Sequence, residues 1–340
     1  VLHEALGWRN VEDGLPMEQD TLFRMASNTK PVISAAILQL AERGNLALTD
    51  CVREHLDGWD GPRSGFVRVE HLLTHTSGLR IPTLFLDPLL EASGQHPSAP
   101  DIVSEAERFG RVGPEFPPGN TYAYSNPGFN TLGAVITVSS GTPLKQYLRE
   151  AIYEPLGMVD SYNHEPDAPK ERMSRVYQRR DDAWQIRWSP GDAPDLPFAR
   201  ASGGMVSTAR DYFRFLQAML NGGVLDDKRI LSAESVEAAT RDQVAGLGNA
   251  ASRPNAPRYG YGWVVEEDGV FSHGGSDGTW AWVDPRRELI GIVFTQSPGG
   301  AIPGEQFRRV VEAACSEPRR STWFTASRPK RTTRCTSATS

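Results

Sequence analysis

The chain has 340 residues, of which 39% are hydrophobic and 23% charged, a balance typical of a soluble globular protein with a large core. The formal net charge of -6 at pH 7 argues against a nucleic-acid partner, and no apolar stretch approaches the ~20 residues of a membrane-spanning helix. The three widely spaced cysteines, Cys51, Cys315 and Cys335, predict neither a disulfide framework nor a metal site.

The start of the chain does not fix its compartment. No basic segment followed by an apolar run and a small-residue cleavage site marks a signal peptide. The chain begins at Val1 rather than at methionine. The sequence is therefore compatible with a soluble protein of the cytoplasm, or with one of the periplasm or the medium after removal of a leader.

The first predicted elements are a strand and a buried helix. Residues 1–7, VLHEALG, alternate weakly, which predicts the strand. Residues 31–43 are apolar on nearly every side and end at Gly44, as expected of a helix inside the protein. The middle of the chain is predicted to be mostly helical, with Pro- and Gly-rich loops. Its predicted helices cover Val69–Leu73 and residues 128–139, 144–152 and 211–220.

From Tyr259 onward the pattern is β-rich. The runs GYGWVVEE, GVFSHGG, TWAWVDP and ELIGIVFTQ are separated by turn residues, which predicts an antiparallel meander, and an amphipathic helix over residues 305–314 follows. An early strand, a helical middle and late strands predict an α/β (α+β) fold. Residues 1–55 with 255–315 would form an α/β sandwich domain, into which a mainly helical domain, residues 56–254, is inserted.

The last segment differs in composition from the rest. Residues 316–340 are rich in Ser, Thr and Arg, and carry six basic residues against one acidic residue, Glu317. They contain too few apolar residues to pack, so we expect a disordered, solvated basic tail.

A serine and a lysine stand one helical turn apart where the buried helix begins. In Ser27-Asn28-Thr29-Lys30, residues i and i+3 share a helix face, so a desolvated, neutral Lys30 can take the proton of Ser27 Oγ. The structural alternative is an N-cap, since S-x-x-K is a short pattern that often occurs by chance.

Two later segments carry further candidate groups. Tyr124 and Asn126 lie in the rigid loop FPPGNTYAYSNPGFN, where the phenol can relay a proton and the amide can donate to a substrate carbonyl. His273 ends a predicted strand, beside two glycines whose bare backbone lets a ligand lie along that edge. The structural alternatives are a tyrosine that caps the core and a buried histidine.

Three motifs in this order, S-x-x-K, Y-x-N and H-x-G, resemble those of the serine β-lactamase and penicillin-binding-protein superfamily. The segments DTLFRMASNTK, HLLTHTSGL, FPPGNTYAYSNPGFNTLG, EPLGM, ASGGMVSTARD and SHGGSDGTW resemble one branch, over roughly residues 1–315. That branch holds class C β-lactamases, D-alanyl-D-alanine carboxypeptidases, D-aminopeptidases and class VIII esterases. The resemblance implies a β-lactamase/transpeptidase-like fold, with an antiparallel sheet flanked by helices, and cofactor-free chemistry without a metal.

The resemblance also implies roles for particular residues. Ser27 would be the acylated nucleophile, Lys30 its general-base partner and Tyr124 the proton relay, although either of the last two could be the acylation base. The backbone N–H groups of Ser27 and Ser276 would form the oxyanion hole. The implied substrate-binding residues are Asn126, His273, Gly274 and Gly275.

The third motif bears on the substrate. In β-lactamases it is commonly K-T-G, whose lysine and threonine help to bind the substrate carboxylate, whereas His273 and Gly274 stand here. A carboxylate would lose a charge-assisted hydrogen bond worth roughly 1.5–3 kcal/mol. We therefore expect a carboxylesterase for short-chain esters, with weak or no β-lactamase activity. The alternatives are a D-amino-acid amidase or peptidase, a β-lactamase, and a non-catalytic penicillin-binding-like sensor or binding module.

The fold that the resemblance implies has a helix and a first strand before the segment corresponding to VLHEALG. This sequence lacks both, so we expect either a truncated chain or another segment in their place.

Two other patterns are interpreted as structural. Gly274 to Gly278 spells the G-x-S-x-G of a nucleophile elbow around Ser276, but a predicted strand follows it instead of a helix. His71 and His75 have a zinc-like spacing without the glutamate or a third ligand, so they are interpreted as a helix end.

Overall fold

The structure is a computed structural model that describes residues 1–79, 99–194, 196–249, 257–298 and 304–315. The expected disordered tail, residues 316–340, lies outside the described residues. The helices are α1 (Thr29–Glu42), α2 (Val69–Leu73), α3 (Ile102–Val112), α4 (Asn126–Ser140), α5 (Leu144–Leu148), α6 (Glu154–Leu156), α7 (Ala209–Leu220), α8 (Ala233–Ala239) and α9 (Gly304–Ala314). None of the helices in the described ranges is both long and apolar enough to cross a membrane.

Most strands have two or three residues, and those within residues 176–188 and 271–294 are longer. They are β1 (Trp8–Asn10), β2 (Leu15–Pro16), β3 (Phe23–Arg24), β4 (Thr121–Tyr122), β5 (Val176–Arg180), β6 (Ala183–Trp188), β7 (Val206–Ser207), β8 (Val224–Leu225), β9 (Lys228–Arg229), β10 (Gly248–Asn249), β11 (Val264–Val265), β12 (Phe271–Gly274), β13 (Thr279–Asp284) and β14 (Leu289–Phe294). Outside the main sheet, β1 pairs with β2, β3 with β7, β5 with β6 and β8 with β9, all antiparallel, and β10 pairs with β4 in parallel.

The main sheet is the antiparallel meander β11-β12-β13-β14, as the sequence predicts. Helix α7 packs against β13 and β14, and the Tyr212 ring of α7 lies 5.9 Å from that of Phe294. Helix α9 packs against β14, and its Phe307 ring lies 6.1 Å from that of Trp282. Because side chains alternate along a strand, Trp282 and its buried neighbour Ala281 face opposite sides of the sheet. Helices therefore flank the sheet.

The predicted buried helix is α1, whose residues from Thr29 to Leu40 are all buried. A helix that is apolar on every side must be covered on every side. Helix α4 packs against α1, and one apolar cluster runs from Val135 of α4 through Ile33 of α1 to Val283 of β13. The start of α1, where Lys30 lies directly after the turn that carries Ser27, is thus held inside the core.

The strand predicted over residues 1–7 is wrong. These residues form no strand, and Gly7 has a φ of 81°, a left-handed conformation that ends an extended run. The side chains of Leu2 and Leu6 are exposed, so no buried face holds the segment in register. The first strand is instead β1, which pairs with β2 and lies outside the main sheet.

Two features of the middle differ from the predicted pattern. The hairpin β5–β6 was not predicted, although Asp181 and Asp182 both have a positive φ, 47° and 61°, as a tight two-residue hairpin turn requires. The helix predicted over residues 144–152 becomes α5, a π-helical turn and α6. Pro155 has no N–H for the carbonyl of Ala151, which accepts from Gln39 Nε2 at 3.0 Å instead.

Candidate active site

Ser27 lies in a 3-10 turn, Ala26–Asn28, between β3 and α1. The turn is fixed at its start, where Met25 N donates to the carbonyl oxygen of Met205 at 2.9 Å. Ala26 has a φ of 45°, a conformation that is rare outside glycine and that clusters at functional sites. The first N–H groups of a helix lack an intrahelical partner, so this turn presents the N–H of Ser27 together with its hydroxyl.

Lys30 is fully buried, and its amine has three polar neighbours. Nζ lies 2.9 Å from Ser27 Oγ, 2.9 Å from Asn126 Oδ1 and 2.7 Å from the Ser202 carbonyl oxygen. Burial lowers the pKa of Lys30 well below its usual range, and the charge of Arg200 lowers it further. A neutral amine has two N–H donors and one lone pair, and carbonyl oxygens only accept. In the neutral form of Lys30, both donors therefore go to Asn126 and Ser202, and the lone pair faces Ser27 Oγ.

Tyr124 contacts the same serine oxygen from another direction. Its hydroxyl donates to Ser27 Oγ at 2.8 Å. Burial raises the pKa of Tyr124 to about 12, although the hydrogen bond to Ser27 opposes that rise. The phenol is therefore protonated at neutral pH. Ser27 can accept a hydrogen bond from Tyr124 while it donates its own proton to Lys30.

The first turn of α4 positions Tyr124 and Asn126. Ser125, between them, is the N-cap of α4, and its hydroxyl accepts from Gly128 N at 3.0 Å. The cap fixes the backbone at the point where the loop becomes helix. The structure thus brings Asn126 Oδ1 to Lys30, within the same cluster as Ser27 and Tyr124.

The third motif lies at the end of β12. Strand β11 pairs with β12 only at Phe271 and Ser272, so the backbone of His273 and Gly274 has no strand partner on that side among the described residues. His273 is buried, and its two ring nitrogens lie 2.8 Å from the Gly274 carbonyl oxygen and 3.1 Å from Tyr259 Oη. Both nitrogens are therefore engaged within the protein. Burial lowers the pKa of His273 to about 3, so its imidazole is neutral.

The turn that carries Ser276 packs directly on the segment that carries Ser27. Thr279 Oγ1 donates to the Met25 carbonyl oxygen at 3.0 Å and accepts from Asn28 Nδ2 at 2.9 Å. Gly275 is required at this close approach, because a Cβ there would lie 2.4 Å from the Met25 carbonyl oxygen. In the part of the chain that the structure describes, neither Ser27 N–H nor Ser276 N–H has a hydrogen-bond partner. Both remain available to a substrate oxygen.

The same turn is anchored by ion pairs and does not resemble a nucleophile elbow. Buried Asp277 lies 3.5 Å from Arg24 Nε and 3.2 Å from the Arg187 guanidinium. The turn joins β12 to β13, whereas an elbow leads from a strand into a helix.

Several residues of this site were not predicted from the sequence. Ser202 supplies the third contact of Lys30, and Thr279 and Asp277 hold the turn around Ser276. Ser202 lies in ASGGMVSTARD and the other two in SHGGSDGTW, so the segments were recognised but their individual contacts were not. Such contacts depend on the tertiary fold, since Ser202 lies 172 positions from Lys30.

The chain is similar to known proteins along most of its length. The family model described as Beta-lactamase matches residues 1–314. Protein Rv1367c of Mycobacterium tuberculosis is 32% identical in an alignment 329 residues long. That alignment covers 86% of this chain and 81% of that protein. Esterase EstB of Burkholderia gladioli is 31% identical in an alignment 295 residues long, which covers 78% of this chain and 71% of the esterase.

Among solved structures, EstCE1, described as a hydrolase with promiscuous acyltransferase activity, matches with a TM-score of 0.75 at 20% identity. The match covers 91% of this chain and 89% of that chain. At this identity the likeness shows the fold alone. The fold is the β-lactamase/transpeptidase-like fold that the sequence predicts, with antiparallel strands and flanking helices.

Proposed function

Because the chain belongs to the beta-lactamase family, we propose that it is a serine hydrolase that forms an acyl-enzyme on Ser27 and acts on short-chain carboxylic esters. The observation that carries this proposal is the 2.9 Å contact between Lys30 Nζ and Ser27 Oγ. The amine is buried, which lowers its pKa well below the usual range, and in its neutral form its lone pair faces the hydroxyl. A base in hydrogen-bond contact with a serine is what makes that serine a nucleophile.

In the proposed acylation, Ser27 Oγ attacks the ester carbonyl carbon and its proton moves to Lys30 Nζ. Negative charge develops on the carbonyl oxygen and is stabilised by the N–H groups of Ser27 and Ser276. One such donor contributes on the order of 3 kcal/mol to the transition state. Tyr124 then protonates the alkoxide oxygen as the ester C–O bond breaks, and the proton held by Lys30 restores the phenol. The alcohol leaves and the acyl group stays on Ser27.

In the proposed deacylation, a water molecule attacks the acyl carbon while Lys30 Nζ accepts one of its protons and the Tyr124 phenol stays protonated. The bond between the acyl carbon and Ser27 Oγ breaks, and the proton returns to Oγ. The carboxylic acid is released and the site regains its starting protonation. The net reaction is the hydrolysis of one ester by one water.

The preference for esters follows from the third motif. His273 is neutral and both its ring nitrogens are engaged, and Gly274 has no side-chain hydroxyl. This edge therefore offers a substrate carboxylate neither the charge nor the hydroxyl of a K-T-G motif. An ester substrate without a carboxylate loses no contact when His273 and Gly274 replace the lysine and threonine of K-T-G. Its alkoxide is also a better leaving group than an amine. The relative named Esterase EstB supports the same substrate class.

A substrate panel tests the proposal. Wild-type protein and Ser27→Ala are assayed with p-nitrophenyl acetate, p-nitrophenyl butyrate, nitrocefin and D-alanine p-nitroanilide. We expect the p-nitrophenyl esters to be turned over at least about tenfold faster than nitrocefin, the factor expected for one lost charge-assisted hydrogen bond. Ser27→Ala should be inactive on all four.

Each other outcome contradicts the esterase proposal in its own way. Fastest turnover of nitrocefin would indicate a β-lactamase, and fastest turnover of the anilide a D-amino-acid amidase. Release of one equivalent of product from every substrate, with no further turnover, would indicate a non-catalytic sensor or binding module.

A further inference from the structure

Three buried side chains form a continuous hydrogen-bond chain behind the candidate active site. His75 Nε2 lies 3.2 Å from Tyr259 Oη, which lies 3.1 Å from His273 Nε2. His75, Tyr259 and His273 are all less than 5% exposed. Tyr259 therefore joins two histidines that are 198 positions apart, one in the segment after α2 and one at the end of β12.

The groups at the two ends fix the direction of every hydrogen bond in this chain. The N–H of Ser125 can only donate, so His75 Nδ1, 3.0 Å away, accepts and the proton of this imidazole is on Nε2. His75 thus donates to Tyr259 Oη. At the other end the Gly274 carbonyl oxygen can only accept, so Nδ1 of His273 carries the proton. Nε2 of His273 then accepts from the Tyr259 hydroxyl.

Both histidines fit this arrangement only as neutral imidazoles, and their surroundings hold them neutral. Burial lowers the pKa of His75 well below its usual range. Burial is also the main reason why His273 is neutral. Every donor and acceptor in the chain from Ser125 to Gly274 is satisfied, and a fully satisfied buried polar network favours one geometry of the groups it joins.

At one end of the network, His75 forms hydrogen bonds with the backbone segment that carries Tyr124. The His75 carbonyl oxygen accepts from Ala123 N at 2.8 Å and its ring accepts from Ser125 N, so the backbone is held on both sides of Tyr124. The His75 ring also lies 4.3 Å from the Tyr124 ring. His75 has a φ of 58°, a conformation that costs free energy and persists where the surroundings over-determine it.

We propose that His75, Tyr259 and His273 are positioning residues, whose hydrogen-bond chain holds the Tyr124 phenol against Ser27 in fixed relation to the substrate-binding edge at Gly274. In this proposal His273 supports the edge, and the backbone beside His273 contacts the substrate. The inference deepens the proposed hydrolase function and rests on it for its kinetic test, whereas its spectroscopic test is independent of any activity.

The test compares Tyr259→Phe with Tyr122→Phe. Each variant removes one hydroxyl from the same aromatic cluster, since the Tyr122 ring lies 5.8 Å from the Tyr259 ring. Unlike the Tyr259 hydroxyl, that of Tyr122 has no hydrogen-bond partner among the residues that the structure describes. His75→Asn is a second test variant, because asparagine tolerates a positive φ and is too short to reach Tyr259.

The spectroscopic readout is the imidazole 15N NMR spectrum at neutral pH. Wild-type protein should show His75 protonated on Nε2 and His273 protonated on Nδ1. Tyr259→Phe should shift the Nε2 resonance of His273 or mix its tautomers, and Tyr122→Phe should not. The opposite tautomers in the wild type, or identical spectra in all three proteins, would overturn the proposal.

The kinetic readout is kcat and KM for p-nitrophenyl acetate. Tyr259→Phe and His75→Asn should lower kcat about tenfold with KM changed less than about twofold, because a small misplacement of a catalytic group acts on the chemical step. Tyr122→Phe should change neither. A kcat of Tyr259→Phe equal to that of Tyr122→Phe would overturn the proposal. Absence of turnover in the wild type would count against the proposed function instead, and the NMR result would still decide the network.

Discussion

Lys30 Nζ lies 2.7 Å from the carbonyl oxygen of Ser202, and this contact determines what the amine presents to Ser27. With Ser202 and Asn126 both acting as acceptors, a neutral amine has no donor left for the serine. The geometry therefore favours Lys30 over Tyr124 as the proposed acylation base, a choice that the sequence leaves open. Tyr124 is then the proton donor, consistent with the upward shift of its pKa.

Replacement of Lys30 by methionine should separate activity from stability. The thioether is close in size to the buried amine, so Lys30→Met should change the thermal midpoint little. Loss of a desolvated amine stabilises the fold, and the acceptors left unpaired on Asn126 and Ser202 offset that gain. Loss of the base should lower kcat for p-nitrophenyl acetate by about 10²–10⁴. Differential scanning fluorimetry and steady-state kinetics measure the two effects. Unchanged turnover would show that Lys30 is not the base.

The activity should rise with pH in a range set by Lys30. Burial lowers the pKa of Lys30, so the amine is neutral above that lowered value and protonated below it. We expect kcat/KM to fall as pH drops through this value, with an inflection well below the ordinary 10.5 of a lysine. The raised pKa of Tyr124, about 12, predicts no falling limb from the phenol at moderately alkaline pH. An inflection near 10.5 would contradict the prediction.

Tyr124→Phe should affect substrates according to their leaving group. A phenol that protonates the departing oxygen matters most when that oxygen is strongly basic. The variant should therefore lose more activity toward ethyl acetate than toward p-nitrophenyl acetate, whose p-nitrophenolate leaves without protonation. The ratio of the two kcat/KM losses is the measurement. Equal losses on both esters would assign Tyr124 a role other than proton donation.

Acid should destabilise the protein through its buried histidines. The pKa of His273 is about 3 when folded, against 6.5 for the free side chain, so the unfolded state binds more protons between these values. The contribution to the free energy of unfolding is full above about 6.5 and is lost as pH falls toward about 3. Denaturant titrations at several pH values should give a shallower pH dependence for His273→Gln than for wild type.

The matched control for that titration is His3→Gln, which lies outside the hydrogen-bond chain. It should keep the wild-type dependence on pH. If the free energy of unfolding changed equally with pH in His273→Gln and in wild type, a neutral buried His273 would be excluded.

Local patterns predicted the elements that local interactions determine. An unbroken apolar run predicted α1, and glycines and turn residues predicted the meander from β11 to β14, both as observed. Residues 1–7 show the limit of such patterns. Weak alternation does not make a strand where Gly7 turns the chain and no strand among the described residues pairs with this segment.

The site was predicted less completely than the fold, and for a different reason. The spacing of Ser27 and Lys30 indicated their contact directly, because both belong to one helical turn. Tyr124 and His273 were candidates because of the segments in which they lie, and the family resemblance connected them with Ser27 and Lys30. The resemblance did not identify the connection between their segments, because His75 and Tyr259 meet only in the folded protein and a lone histidine or tyrosine has no distinctive local pattern.

The most direct test of the account is to identify the residue that reacts with a serine-directed probe. Active protein is incubated with a fluorophosphonate, digested and mapped by mass spectrometry, with Ser27→Ala treated in parallel. We expect one adduct, on Ser27, and none in Ser27→Ala. An adduct on Ser276, or no adduct in protein that turns over esters, would contradict it.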